Sequence, residues 1–199
     1  MSFVTNPSTG DSMKTRLLAI SGSSRQDSVN KRLLNAATDI VRRQGAEVNV
    51  LDLRTLALPL YDGDLEAASG LPEGCLHLKQ AIREHHALLV ASPEYNGFFT
   101  PLLKNSIDWA TRPQEGVPSP FPGKVAAIIA ASPGALGGIR GLPALRILLS
   151  GIGVLVTPGQ MSLPLAHKAF DEKGDLINPQ QQKMLEGVVG ELLRTVHTD

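Results

Sequence analysis

Residues 16–45 read RLLAISGSSRQDSVNKRLLNAATDIVRRQG, and the order of residue types in that stretch decides the fold. Leu17-Leu18-Ala19-Ile20 is apolar without alternation and halts at Ser21-Gly22, the pattern of a central strand buried on both faces. A polar loop follows, and then Leu33, Leu34, Ala37, Ile40 and Val41 recur at helical spacing until Gly45 stops the pattern. Strand, loop and helix in this order form the first half of a βαβ unit.

The same alternation continues outward. Residues 47–51 supply a second strand, and residues 52–71 a long connection with Pro59, Gly63 and Gly70. Pro72 opens a helix with Leu78, Ala81 and Ile82 inward. Residues 87–91 are a third buried strand. Thr100-Pro101 provides an N-cap and first-turn proline for a helix carrying Leu103, Ile107 and Trp109. A stiff loop with Pro113, Pro118, Pro120 and Pro122 leads to a fourth strand at residues 125–131. Residues 142–149 read as a helix with Pro143 in its first turn, residues 154–156 as a fifth strand. Asn178-Pro179 caps a last helix with Leu185, Val188, Val189, Leu192 and Val196 on its inner face. Five strands interleaved with five helices predict an α/β fold: a flavodoxin-like, doubly wound, five-stranded parallel sheet with helices on both faces. Residues 14–199 form one domain, and residues 1–13, small and polar, are expected to be a disordered tail.

Composition narrows the function. With 19 Lys+Arg against 19 Asp+Glu, no broad basic surface exists for nucleic acid. Cys75 stands alone, which excludes a disulfide framework or thiolate metal cluster within one chain; a buried or half-buried thiol is expected. The five histidines, 77, 85, 86, 167 and 197, show no metal-binding spacing, and His85 and His86 read as a solvated strand entrance. No run of ~18 apolar residues spans a membrane, and the N-terminus lacks a signal-peptide pattern, so a cytoplasmic location is expected. The chain has eight aromatics, and five of them, Tyr95, Phe98, Phe99, Trp109 and Phe121, fall between positions 95 and 121. This predicts flat apolar surface there, with Phe99 equally suited to packing on the next helix and Trp109 assigned to core or subunit contact.

In doubly wound sheets ligands lie at the carboxyl ends of the strands, near the switch point of strand order. That rule selects three loops. The first, SGSSRQDSVN at 21–30, gathers four hydroxyls, a guanidinium and free helix amides, which is how a phosphate is held; the alternative is simple capping. Its spacing fits neither GxxxxGK[ST] nor GxGxxG, so nucleoside triphosphates and a standard dinucleotide fold are disfavoured. The second, SPEYNGFFTP at 92–101, offers a carboxylate, an amide, a glycine and three aromatics to a planar ligand. The third, SPGALGGIRG at 132–141, has four glycines that allow close backbone approach.

Taken together, GSSRQDSVN, SPEYNGFFTPLLKNSIDW and SPGALGGIR resemble the NADPH-dependent FMN reductase family, which includes bacterial chromate and quinone reductases and azoreductases. The resemblance runs from about residue 17 to residue 196. It implies a flavodoxin-like FMN-binding fold, usually dimeric or tetrameric, using NADPH or NADH as co-substrate. It implies a phosphate loop of Ser23, Arg25, Ser28 and Asn30, an isoalloxazine loop of Pro93, Glu94, Tyr95, Asn96 and Gly97, and a glycine-rich loop of Ser132, Gly134, Gly137 and Gly138. Ser24 departs from the apolar residue many members carry.

The resulting expectation is an oxidoreductase that passes hydride from nicotinamide to bound FMN and on to a small acceptor: a quinone, flavin, azo or nitro compound, or oxidised metal. The hydride chemistry belongs to the cofactor, and no catalytic side chain is needed. Tyr95 lines the acceptor cavity, and Arg140 serves an anionic acceptor, the 2′-phosphate of NADPH, or an ion pair. The alternatives are a flavodoxin-type carrier and a flavin-free scaffold; the neutral charge favours the enzyme over the usually acidic carrier. A homodimer or homotetramer is expected, on the premise that the aromatic loop, the helix over 100–109 and the prolines after it expose apolar area.

Overall fold

The computed structural model describes residues 14–196; the expected tail at 1–13 and His197 lie outside them. In chain order the elements are β1 (Arg16–Ser21), α1 (Val29–Arg43), β2 (Glu47–Asp52), α2 (Gly63–Ser69), α3 (Glu73–Glu84) and β3 (Ala87–Ala91). They continue with α4 (Pro101–Ala110), β4 (Val125–Ala131), α5 (Gly141–Gly151), β5 (Leu155–Leu163) and α6 (Pro179–Val196). All strand pairings are parallel and the sheet order is β2-β1-β3-β4-β5. This is the flavodoxin-like arrangement, with its switch point between β1 and β3.

Strand periodicity explains the two cores. Leu17 and Ala19 pack toward α1 and α6, whereas Leu18 and Ile20 pack on the opposite face with residues of α3, α4 and α5. Each fully buried leucine in these layers contributes roughly 1.5–3 kcal/mol. The helix ends follow their sequence signals. Ser28 Oγ accepts the Asn30 N–H at the start of α1, and Thr100 Oγ1 accepts that of Leu103 at the start of α4. Gly45, at φ 83°, follows the end of α1.

Several expectations change. The connection at 52–71 contains a 3₁₀ turn, Leu53–Leu56, and the helix α2, neither of which has helical apolar periodicity. None of the α2 residues is buried; the helix is capped by Asp62 Oδ1 and tethered by Glu66, whose carboxylate accepts from Arg112 Nε at 2.8 Å and from the Tyr61 hydroxyl at 3.0 Å. The fifth strand is longer than residues 154–156 because Thr157, Pro158 and Gly159 bulge out between the pairs Ala126–Val156 and Ile128–Gln160. Arg146 donates to Val156 O and Thr157 O, and Glu191 accepts the Gly159 N–H, so the bulge is pinned from both α5 and α6.

His85 is not solvated: it is 4% exposed, its Nδ1 donating to Ala81 O at 2.6 Å and its Nε2 facing Asn49 Nδ2 at 3.0 Å. The aromatic surface is also smaller than expected. Phe99, Trp109 and Phe121 are buried, Trp109 donating through Nε1 to Pro59 O, and only Tyr95 and Phe98 remain exposed. The premise for oligomerisation through α4 therefore fails, since Leu103, Ile107 and Trp109 are covered by the chain itself. Cys75 is fully buried with its thiol on Trp109 O, and burial pushes that thiol up in pKa. Among the described residues, no helix is long and apolar enough to cross a membrane.

Candidate functional site

The loops after β1, β3 and β4 meet at the carboxyl edge of the sheet because short hydrogen bonds tie them together. Gly22 N donates to Ala91 O, and Thr100 Oγ1 donates back to Gly22 O at 2.6 Å, joining the first loop to the second. Asn30 joins the first to the third: its Nδ2 donates to Ala131 O at 2.7 Å and its Oδ1 accepts the Ala131 N–H at 2.8 Å. Between them lies a cleft of about 420 Å³, within the ordinary range of small-molecule sites.

Of the residues singled out in the sequence, Ser23, Arg25, Ser28, Asn30, Pro93, Glu94, Tyr95 and Ser132 line this cleft. Ser23 and Ser28 are nearly buried, and each uses its oxygen to accept a local backbone N–H, which leaves the hydroxyl proton to donate. Ser21, where β1 passes into this loop, has a buried hydroxyl without a hydrogen-bond partner but does not line the cleft. Arg25 is exposed at the rim, and the first-turn amides of α1 supply the positive end of the helix. This donor set fits a phosphomonoester. Asn30 also lines the cleft, and it ties the loops: its amide meets Ala131 at both ends, which engages Oδ1 and one of the two Nδ2 hydrogens.

The second loop folds as a two-residue hairpin. Tyr95 and Phe98 exchange backbone hydrogen bonds of 2.8 and 3.1 Å across Asn96 and Gly97, whose φ values of 54° and 83° are those of a type I′ turn. Asn96 and Gly97 thus shape the loop rather than line the cleft, while Tyr95 and Phe98 stand exposed beside it. Glu94 is fixed by Arg140, which donates to its carboxylate from Nε at 2.6 Å and from its backbone N–H at 3.0 Å. Of the roles open to Arg140, the structure gives it the ion pair. That pair fastens the second loop to the third.

The glycines of the third loop answer to the protein's own packing. A Cβ on Gly137 would lie 2.6 Å from Pro164 N, and one on Gly138 would lie 2.9 Å from Ala130 Cβ; both have positive φ. Gly134 meets only its neighbour Ser132 and, like Gly137 and Gly138, lies outside the cleft lining. The sequence reading missed Asp27, Arg32 and His167, which do line it. Arg32 had a signal: it sits one turn into α1, and helical side chains lean toward the N-terminus. His167 had none, because it arrives from the far end of β5.

Comparison with known proteins gives the family. The sequence profile of the NADPH-dependent FMN reductase family matches residues 15–168. An NAD(P)H-dependent FMN reductase of Pseudomonas aeruginosa is 36% identical over 172 residues, covering 86% of this chain and 89% of that protein. An NADPH:quinone oxidoreductase of Arabidopsis thaliana is 33% identical, with 87% and 88% covered. Among solved structures, a flavoenzyme NAD(P)H:(acceptor) oxidoreductase from Paracoccus denitrificans superimposes with a TM-score of 0.79 at 29% identity, covering 92% of this chain and 97% of that one.

Proposed function

We propose, from the premise that this chain belongs to the NADPH-dependent FMN reductase family, a division of labour in which the three loops bind FMN and leave one side open to two alternating substrates. The chain is an FMN-dependent NAD(P)H oxidoreductase. The observation that carries the assignment of residues is that Ser23, Arg25, Ser28 and the start of α1 line the same cleft as Pro93, Glu94 and Tyr95.

Bound FMN supplies a centre that accepts hydride from nicotinamide and passes it to an acceptor. The chain's own residues bind and orient. Ser23 and Ser28 donate to the phosphate and Arg25 neutralises it. Pro93, Glu94 and Tyr95 would border the ring, and the Glu94–Arg140 pair keeps the hairpin in register with the third loop. Tyr95 and Phe98 present apolar area against which a flat acceptor lies. Quinones fit this description best, since they are planar and the relatives include quinone reductases. We assign the protein to the cytoplasm and to a homo-oligomer, the latter because Tyr95, Phe98, Leu136, Ile139 and Leu165 are exposed apolar residues on the loops of this one edge.

The test is reconstitution and turnover. Purified protein loaded with FMN should oxidise NADPH or NADH when a benzoquinone is supplied, and Arg25→Ala should weaken FMN binding by about tenfold or more. Protein that takes up no FMN would refute the reading.

A further inference from the structure

The loop after β5 is built against the cleft with unusual firmness. Ser132 N donates to Leu163 O, Ala166 N returns a bond to Ser132 O, and Leu165 N donates to Gly134 O, at 3.0–3.1 Å. Gly137 admits Pro164 so closely that any side chain there would collide. Leu165 has φ 49°, left-handed backbone that a γ-branched leucine adopts at a cost and keeps only where its surroundings impose it. The product of this strain is the 3₁₀ turn Ala166–Lys168, with Ala166 fully buried as its anchor and His167 exposed on the cleft wall.

A second contact from the same segment points the same way. The Phe170 ring lies 4.7 Å beneath the Arg32 guanidinium, which also lines the cleft near the start of α1. A phosphomonoester carries close to two negative charges near neutral pH. Arg25 is the one cation that the first loop itself brings to the cleft, and Asp27 on the same loop opposes it. The other lining carboxylate, Glu94, is already held by Arg140.

We propose that the segment after β5 completes the cofactor cleft through two side chains: His167 donates a hydrogen bond to the FMN phosphate, and Phe170 holds Arg32 in range of the same group. The proposal rests on the cleft's being the FMN site. An imidazole bears an N–H donor in either tautomer, which is the group this contact needs.

Titration of the flavin-free protein with FMN and, separately, with riboflavin, followed by flavin fluorescence, tests it. Because His167 is exposed, His167→Ala should fold normally, which a thermal melt checks. His167→Ala should weaken FMN about tenfold and leave riboflavin unchanged, since riboflavin has no phosphate. His167→Gln, which keeps a donor, should recover most of the loss. Lys168→Ala, a neighbouring cation off the cleft wall, should leave both ligands unaffected. Unchanged FMN affinity in His167→Ala, equal weakening of FMN and riboflavin, or an equal loss in Lys168→Ala would each overturn the assignment. Wild-type protein that binds neither flavin would instead overturn the cofactor reading beneath it.

Discussion

Asn30 grips Ala131 across 101 positions of sequence, its amide nitrogen on the carbonyl and its amide oxygen on the N–H, both bonds buried. The start of α1 and the end of β4 are thereby held in fixed register, and the cleft opens between them.

Removing that grip leaves two buried backbone groups unpaired. Asn30→Ala should lower stability by about 2–4 kcal/mol in urea denaturation. Asn30→Asp should lose more at neutral pH, because a carboxylate oxygen then faces the Ala131 carbonyl. Its deficit should shrink as pH falls, since protonation restores a donor. An Asn30→Ala protein as stable as wild type would show that the bonds carry no net stability.

The glycines separate by surroundings. Gly137→Ala forces a Cβ to 2.6 Å from Pro164 N and should cost about 3 kcal/mol or more. Gly97→Ala has similar φ but no atom within 4 Å of its Cβ, and should cost about 1 kcal/mol of backbone strain. Equal melting temperatures for the two variants would contradict this ranking.

Arg140 acts through Glu94, whose side chain is only 7% exposed. Arg140→Met should loosen the second loop and lower kcat/KM for NADPH and NADH by the same factor, roughly tenfold. A loss confined to NADPH would move Arg140 to the 2′-phosphate.

Acid sensitivity should trace partly to Glu66. The Arg112 hydrogen bond holds its carboxyl below the usual glutamate range, opposed by desolvation and aided by the Tyr61 hydroxyl. A depressed folded pKa stabilises the protein above the unfolded value. As pH falls through the carboxylate range the unfolded chain takes up the proton first, and that stability is lost. Glu66→Gln should therefore flatten the fall of the urea midpoint between about pH 5 and 3. An unchanged slope would remove Glu66 from the account.

Much of the fold was legible because burial on both faces leaves unbroken apolar runs: β1, β3 and β4 read directly as strands. Illegible parts were those held by contacts rather than periodicity. Helix α2 buries no residue and depends on Glu66, and the β5 bulge depends on Arg146 and Glu191. The same division holds in the cleft. Ser23, Arg25 and Ser28 share a local loop, and Glu94 and Tyr95 another, so sequence proximity revealed them. His167 reaches the cleft only through tertiary hydrogen bonds, and the tie between Asn30 and Ala131 was hidden because the two lie far apart along the chain.

Anaerobic addition of NADPH to the FMN-loaded protein, followed at the flavin absorbance bands, addresses the central claim most directly. Bleaching within seconds, reversed by a quinone, is the predicted result. Flavin that stays oxidised until a separate reductase is added would make the protein an electron carrier and contradict the account.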